Sequence, residues 1–197
     1  MVGGFARGFA ALVLCLTALG VNAESTAGEA ELVQISMVNH ADVEIDQAVE
    51  KIWQAIKNDI AYGKRFLSEG FVVHPLKVDP TAVLGGIHMV LEKDGKVLDE
   101  RIVKITEMDE QNKRFSLFAT YLAPPFKGMT VNASYYLTPT ESGVKYSLDA
   151  YTQLYIPAPE GANPQQQIAN YISTAQKGAQ QYLDKVMLEL KQSSEKK

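Results

Sequence analysis

A single cysteine, Cys15, stands among 197 residues, so no internal disulfide framework can hold this chain together. Excess charge of one sign is also missing. Lys and Arg number 19 against 23 Asp and Glu, which leaves no broad basic surface for a phosphate backbone and excludes nucleic acid as a partner. Neither G-x-S-x-G nor G-x-x-x-x-G-K occurs, and no glycine-rich turn follows a strand, so hydrolase and nucleotide-using readings lose their usual anchors. The three histidines, His40, His74 and His88, lie away from any second ligand at metal-binding spacing. No metal and no cofactor is expected.

What remains is ordinary globular composition, 46% hydrophobic and 21% charged. The N-terminus has the layout of an export signal: Arg7, then an apolar run over residues 9–21, then Val21-Asn22-Ala23. That run of about 13 residues is short of the roughly 20 that span a bilayer, so the chain is not expected to cross a membrane once processed. Cleavage is placed after Ala23, and Leu14 before Cys15 argues against a lipid anchor. The predicted organisation is a signal peptide over 1–23, a small, acidic, flexible leader over 24–31, one domain over 32–192 and a frayed tail over 193–197. Periplasm or secretion follows.

Within the domain, Leu32 to Ile45 reads as a strand. Asp46 suits an N-cap, and Val49, Ile52, Trp53 and Ile56 form one apolar helix face. A second short helix is expected over residues 60–68, ended by Gly70. Six strand-like runs follow, at 71–78, 83–91, 97–108, 113–122, 129–138 and 144–156. Asp94-Gly95, Gln111-Asn112, Pro124-Pro125 with Gly128, and Glu141-Ser142-Gly143 separate the later ones. Connections this short mean an antiparallel meander. Asn163, Pro164 and Gln166 then open a helix whose stripe is Ile168, Ile172, Ala175, Ala179, Tyr182, Val186 and Leu190. At 1.5 Å per residue it is roughly 45 Å long, and it is the one element able to cover a bare sheet face.

This order, with several local words, resembles the START-like (SRPBCC) helix-grip family of lipid carriers, polyketide cyclases, pollen allergens and abscisic-acid receptors. The words are Val43-Glu44-Ile45 leading into Ala48-Val49-Glu50-Lys51-Ile52-Trp53, and Gly85-Gly86-Ile87-His88 opening a strand. Asp94-Gly95 ahead of Asp99-Glu100-Arg101-Ile102 is another, and Pro159-Glu160-Gly161 before the last helix completes them. The resemblance implies an α+β helix-grip fold: a curved antiparallel sheet of about seven strands wrapped around the long C-terminal helix, with two short helices after strand 1. It also implies an apolar cavity between sheet and helix. Ala175, Gly178 and Ala179 thin the helix stripe at its middle and agree with that, while close packing without a cavity stays as the alternative.

By alignment with the abscisic-acid receptors, the implied ligand-binding residues are Lys64, Glu100, Ile102, Phe115, Leu117, Asp149, Tyr151, Tyr171, Ala175 and Ala179. Glu92-Lys93-Asp94-Gly95 and Pro124-Pro125-Phe126-Lys127 replace that subgroup's gate and latch, so a hormone-receptor role is not supported. Facing Asp149 inward also turns Tyr146, Leu148 and Ala150 outward, against simple apolar burial. No catalytic residue is assigned. Glu100 and Arg101, as strand neighbours, face opposite sides, and a buried Glu100 would need a counter-charge such as Lys64. The tyrosines are many, and a few of them lining a cavity would suit a ring-bearing guest. Asn132-Ala133-Ser134, in an expected strand, is taken as a chance match to the glycosylation pattern. Three functions compete. The first is a periplasmic carrier of a small hydrophobic or lipid-like ligand. The second is a cyclase-like or aromatase-like enzyme using Glu100, Asp149 and tyrosine hydroxyls. The third is an accessory protein to a periplasmic enzyme such as methanol dehydrogenase.

Overall fold

A computed structural model describes residues 31–76 and 84–195. The expected signal peptide and most of the leader lie outside the described residues, as do the end of the strand expected at 71–78 and the start of the one at 83–91.

Seven strands form one curved antiparallel sheet: β1 (Leu32–Ile45), β2 (Val72–Pro75), β3 (Gly86–Lys93), β4 (Lys96–Asp109), β5 (Arg114–Tyr121), β6 (Thr130–Pro139) and β7 (Val144–Pro157). Their spatial order is β1-β7-β6-β5-β4-β3-β2, so the meander from β2 to β7 is laid down neighbour by neighbour and β1 closes onto β7. Between β1 and β2 run α1 (Val49–Ile56), a π-helical turn (Lys57–Ala61) and α2 (Lys64–Ser68). The chain ends in α3 (Pro164–Glu195), 32 residues and about 48 Å long.

The alternation of each strand sets which face is buried. On β1, Ile35, Met37, Asn39, Ala41 and Ile45 point inward, and Val144, Tyr146, Leu148, Leu154 and Ile156 do so on β7. The most deeply buried side chains, Ile52 and Trp53 of α1 with Ile45, Met89, Phe115 and Val144 of the sheet, belong to one hydrophobic core. The short helices therefore share the covering of the sheet with α3, which the amphipathic stripe had assigned to α3 alone. Helix α3 packs chiefly along β1. Only Met187 on it is fully buried.

Three local expectations are revised. Asp46 does not cap α1: Ala48 is the N-cap residue, and the Asp46 N–H donates to Glu195 Oε1 at 2.9 Å. Gln166 makes no capping box. Its amide N–H bonds Asn170 Oδ1 at 3.0 Å, while Asn163 serves α3 through its carbonyl, which accepts from the Gln166 and Gln167 N–H groups. Finally, α3 is helical beyond Ser193. It continues through Glu195, which also pairs with Lys191 at 3.0 Å. No helix among the described residues is long and apolar enough to cross a membrane.

Candidate functional site: an apolar cavity between sheet and helix

A cavity of about 180 Å³ lies between the inner face of β1, β6 and β7 and the stretch of α3 from Ala175 to Met187. It exists because small residues stand where the two layers meet: Ala175 and Ala179 on the helix, Ala133 and Ala150 on the strands. Met37, Met129, Leu148, Leu154, Leu183 and Met187 supply most of the apolar wall.

Four tyrosines, Tyr121, Tyr135, Tyr146 and Tyr182, also line it. Burial lifts every one of their phenols above the ordinary value, Tyr135 to about 12, so all four stay protonated and can donate a hydrogen bond at neutral pH. Tyr135 packs on Phe115 at 5.5 Å and on Tyr146 at 6.1 Å between ring centres, which fixes their orientation.

The π-helical turn and the glycine after it bring one charge to this wall. The turn is closed by the Tyr62 N–H bonding to Lys57 O at 3.0 Å, five residues back, and it presents Ile60 to the cavity. Gly63 follows at φ 72°, and a Cβ there would sit 2.8 Å from Val73 Cγ1, so only glycine fits the corner that starts α2. Two residues later Arg65 faces inward, its side chain 19% exposed, and its Nε donates to Glu69 Oε1 at 3.0 Å. Burial opposes the charge on Arg65, but Tyr182 and Glu69 outweigh it and hold the guanidinium above its usual pKa.

A second buried arginine braces the wall from behind. Arg101, 5% exposed, donates from Nε to Asp99 Oδ1 at 2.8 Å and from Nη2 to Oδ2. Its guanidinium lies over the rings of Tyr121 at 4.6 Å and Phe71 at 5.6 Å.

Asn39 closes the seam between helix and sheet. It is 5% exposed and lines both the cavity and a surface groove beside Ile172 and Gln176. Its Nδ2 donates to Gln176 O and Gln180 Oε1, each at 3.1 Å, and the amides of Gln176 and Gln180 donate in turn to Val38 O and His40 O.

Of the residues that the resemblance implied, Ala175 and Ala179 line the cavity. Phe115 and Leu117 face inward but are buried in the core away from it, and Tyr171 is half-buried on α3 outside its wall. Lys64 is exposed at the start of α2. Two strands face the other way from the alignment. On β4 the inner row is Arg101, Val103 and Ile105, so Glu100 and Ile102 are on the outer face, where Glu100 Oε1 meets His88 Nε2 at 2.9 Å. On β7, apolar burial wins. Asp149 and Tyr151 are exposed, Asp149 bonded to His40 Nδ1 at 2.7 Å and Tyr151 to Ser36 Oγ at 3.2 Å. Among the described residues no group of three or more His, Cys, Asp or Glu could hold a metal ion.

Sequence reasoning had assigned no role to Asn39 or Arg65. A polar residue in the inward row Ile35-Met37-Asn39-Ala41 was a usable signal for the first, because a buried amide needs partners. The second had only Glu69 four residues on.

No protein-family model and no curated protein matches the sequence. Solved structures do. Ara h 8.0201 superposes with a TM-score of 0.51 at 14% identity, covering 76% of this chain and 98% of its own. Truncated norcoclaurine synthase from Thalictrum flavum gives 0.51 at 14% identity, over 85% of this chain and 99% of its own. Both are in the START/Bet v 1 superfamily, and its helix-grip fold is the fold of this chain.

Proposed function

We propose that this helix-grip chain is a non-enzymatic carrier that holds a small apolar molecule between its sheet and α3. The observation that carries the reading is the apolar cavity of about 180 Å³ left open by Ala133, Ala150, Ala175 and Ala179. Its size selects the guest. An apolar cavity of about 150 Å³ in another protein admits benzene, so the space suits one ring with a short substituent. Burying about 150 Å² of such a guest gains roughly 4 kcal/mol before any polar contact. A whole lipid chain exceeds this space.

The Thalictrum flavum protein is a synthase by name, but nothing supports carrying that activity over. The carboxylates that acid–base chemistry would call on, Glu100 and Asp149, stand on the outer face. Export to the periplasm or beyond is part of the proposal and is supported by residues 1–23. N-terminal sequencing of the protein from its own host should begin at Glu24.

Native mass spectrometry of that same material tests the carrier. A non-covalent adduct of one ring-sized molecule, lost on activation, is the expected result. A clean apo mass, with no uptake of indole or of fluorescent apolar probes, overturns it.

A further inference from the structure

We infer that the outer face of the sheet is a binding surface for a neutral, extended polysaccharide, with Tyr151, Tyr155 and Phe118 as the platform on which its sugar rings stack. The inference is independent of the cavity and of the carrier reading.

Strand pairing builds the platform. On the outer face Val38, Tyr151, Asn132 and Phe118 stand in register across β1, β7, β6 and β5, and Ser36, Gln153, Thr130 and Thr120 form the next row. Tyr151 and Phe118 are two strands apart, which is about 9.5 Å, and Tyr155 is four residues beyond Tyr151 on β7, about 13.5 Å away. The three rings together cover the footprint of a short run of sugars. Val38 is 61% exposed, Tyr155 50% and Tyr151 38%, while Phe118 is half-buried. The Tyr151 hydroxyl donates to Ser36 Oγ at 3.2 Å, which tethers the ring toward β1. A Cβ at Gly128 would lie 3.8 Å from Tyr155 Cδ2, so bare backbone borders that ring.

The polar groups between the rings select the class of guest. A pyranose offers an apolar C–H face to an aromatic ring and a rim of hydroxyls to amides. Asn132 separates Tyr151 from Phe118, and Gln153 separates Tyr151 from Tyr155, so each gap holds an amide with two donors and an acceptor. Those amides also break up the contiguous apolar patch that a protein partner would seek. From β1 to β5 neither row carries a charged side chain, so an ionic guest finds no counter-charge there. The formal charge of -4 on the chain repels a polyanion. Rings in a nearly level array suit a ribbon-like β-1,4-linked chain, whereas an α-1,4-linked chain coils away from it.

The test is isothermal titration of the protein with cellohexaose and chitohexaose, with maltohexaose and an oligogalacturonate as controls. At least one β-linked hexamer should bind, at least tenfold tighter than either control. The double variant Tyr151→Ala/Tyr155→Ala should weaken that binding at least tenfold, with unchanged Trp53 fluorescence showing that the fold is kept. In the unaltered protein the side-chain amide resonances of Asn132 and Gln153 should move on adding the sugar, and that of Asn39 in the helix seam should stay in place. Absence of binding by both β-linked hexamers, a control that binds as tightly, or binding that survives in the double variant would overturn the inference. A dimer in sedimentation that the double variant disperses would assign this face to a second copy of the chain and overturn it equally. Each of these results leaves the carrier reading untouched.

Discussion

Asn39 on β1 and Gln180 on α3 meet at 3.1 Å, and the same Asn39 nitrogen reaches Gln176 O. This amide pairing at the edge of the sheet adds to the apolar packing of Ile172, Ala175 and Leu183 in holding the middle of the helix, where no side chain is fully buried before Met187. Asn39→Ala removes two hydrogen bonds at a buried site and strands their acceptors. A loss of about 2 kcal/mol is expected in urea unfolding, with faster amide exchange across the middle of α3.

Ala179→Leu places a branched side chain in the cavity. Because the space is already there, stability should change by no more than about 1 kcal/mol. Affinity for ring-sized guests should fall at least tenfold in a titration followed by heat or fluorescence. Unchanged binding would show that guests go elsewhere.

Removing Arg101 should be far more damaging than its position on a strand suggests. Arg101→Ala leaves Asp99 nearly buried without its partner and takes the brace from Tyr121 and Phe71, for an expected loss of about 3–5 kcal/mol. Trp53, the one tryptophan and fully buried, reports the transition by fluorescence. Arg101→Lys keeps the charge without the planar fork and should fall between the two.

On the outer face, hydrogen bonds that His40 donates to the carboxylates of Asp149 and Asp42 raise its pKa above 6.5. A raised histidine contributes stability that is fully present below the unfolded value of about 6.5 and is lost as pH climbs through the folded value. The site is half exposed, so the energetic effect is small, and NMR titration of the His40 ring is the right measurement. Asp149→Asn should move the titration midpoint down toward 6.5.

The alternation of β1 and β7 was legible because apolar residues fall on one face in both, and burial of Tyr146, Leu148 and Leu154 was the outcome that rule demanded. The alignment with distant relatives pointed the opposite way for Asp149 and Tyr151. A one-residue slip in a strand reverses every side chain, and short motifs do not resolve a single residue. On β4 the pair Val103 and Ile105 places Arg101 inward by the same period, and there too the alignment, which set Glu100 inward, pointed the opposite way. Arg65 was out of reach for a different reason. Its direction depends on the π-helical turn and the positive φ of Gly63, and neither leaves a periodic trace.

The amides of Gln176 and Gln180, and the Lys191 ammonium group, end on the carbonyls of Val38, His40 and Glu44 along the rim of β1. Those carbonyls are the groups a foreign strand would seize. Any motion that lifts the terminal rod off β1 bares a template for lateral polymerisation, so re-docking and aggregation are its rival outcomes. A truncated chain ending before the rod would be expected to take the second course.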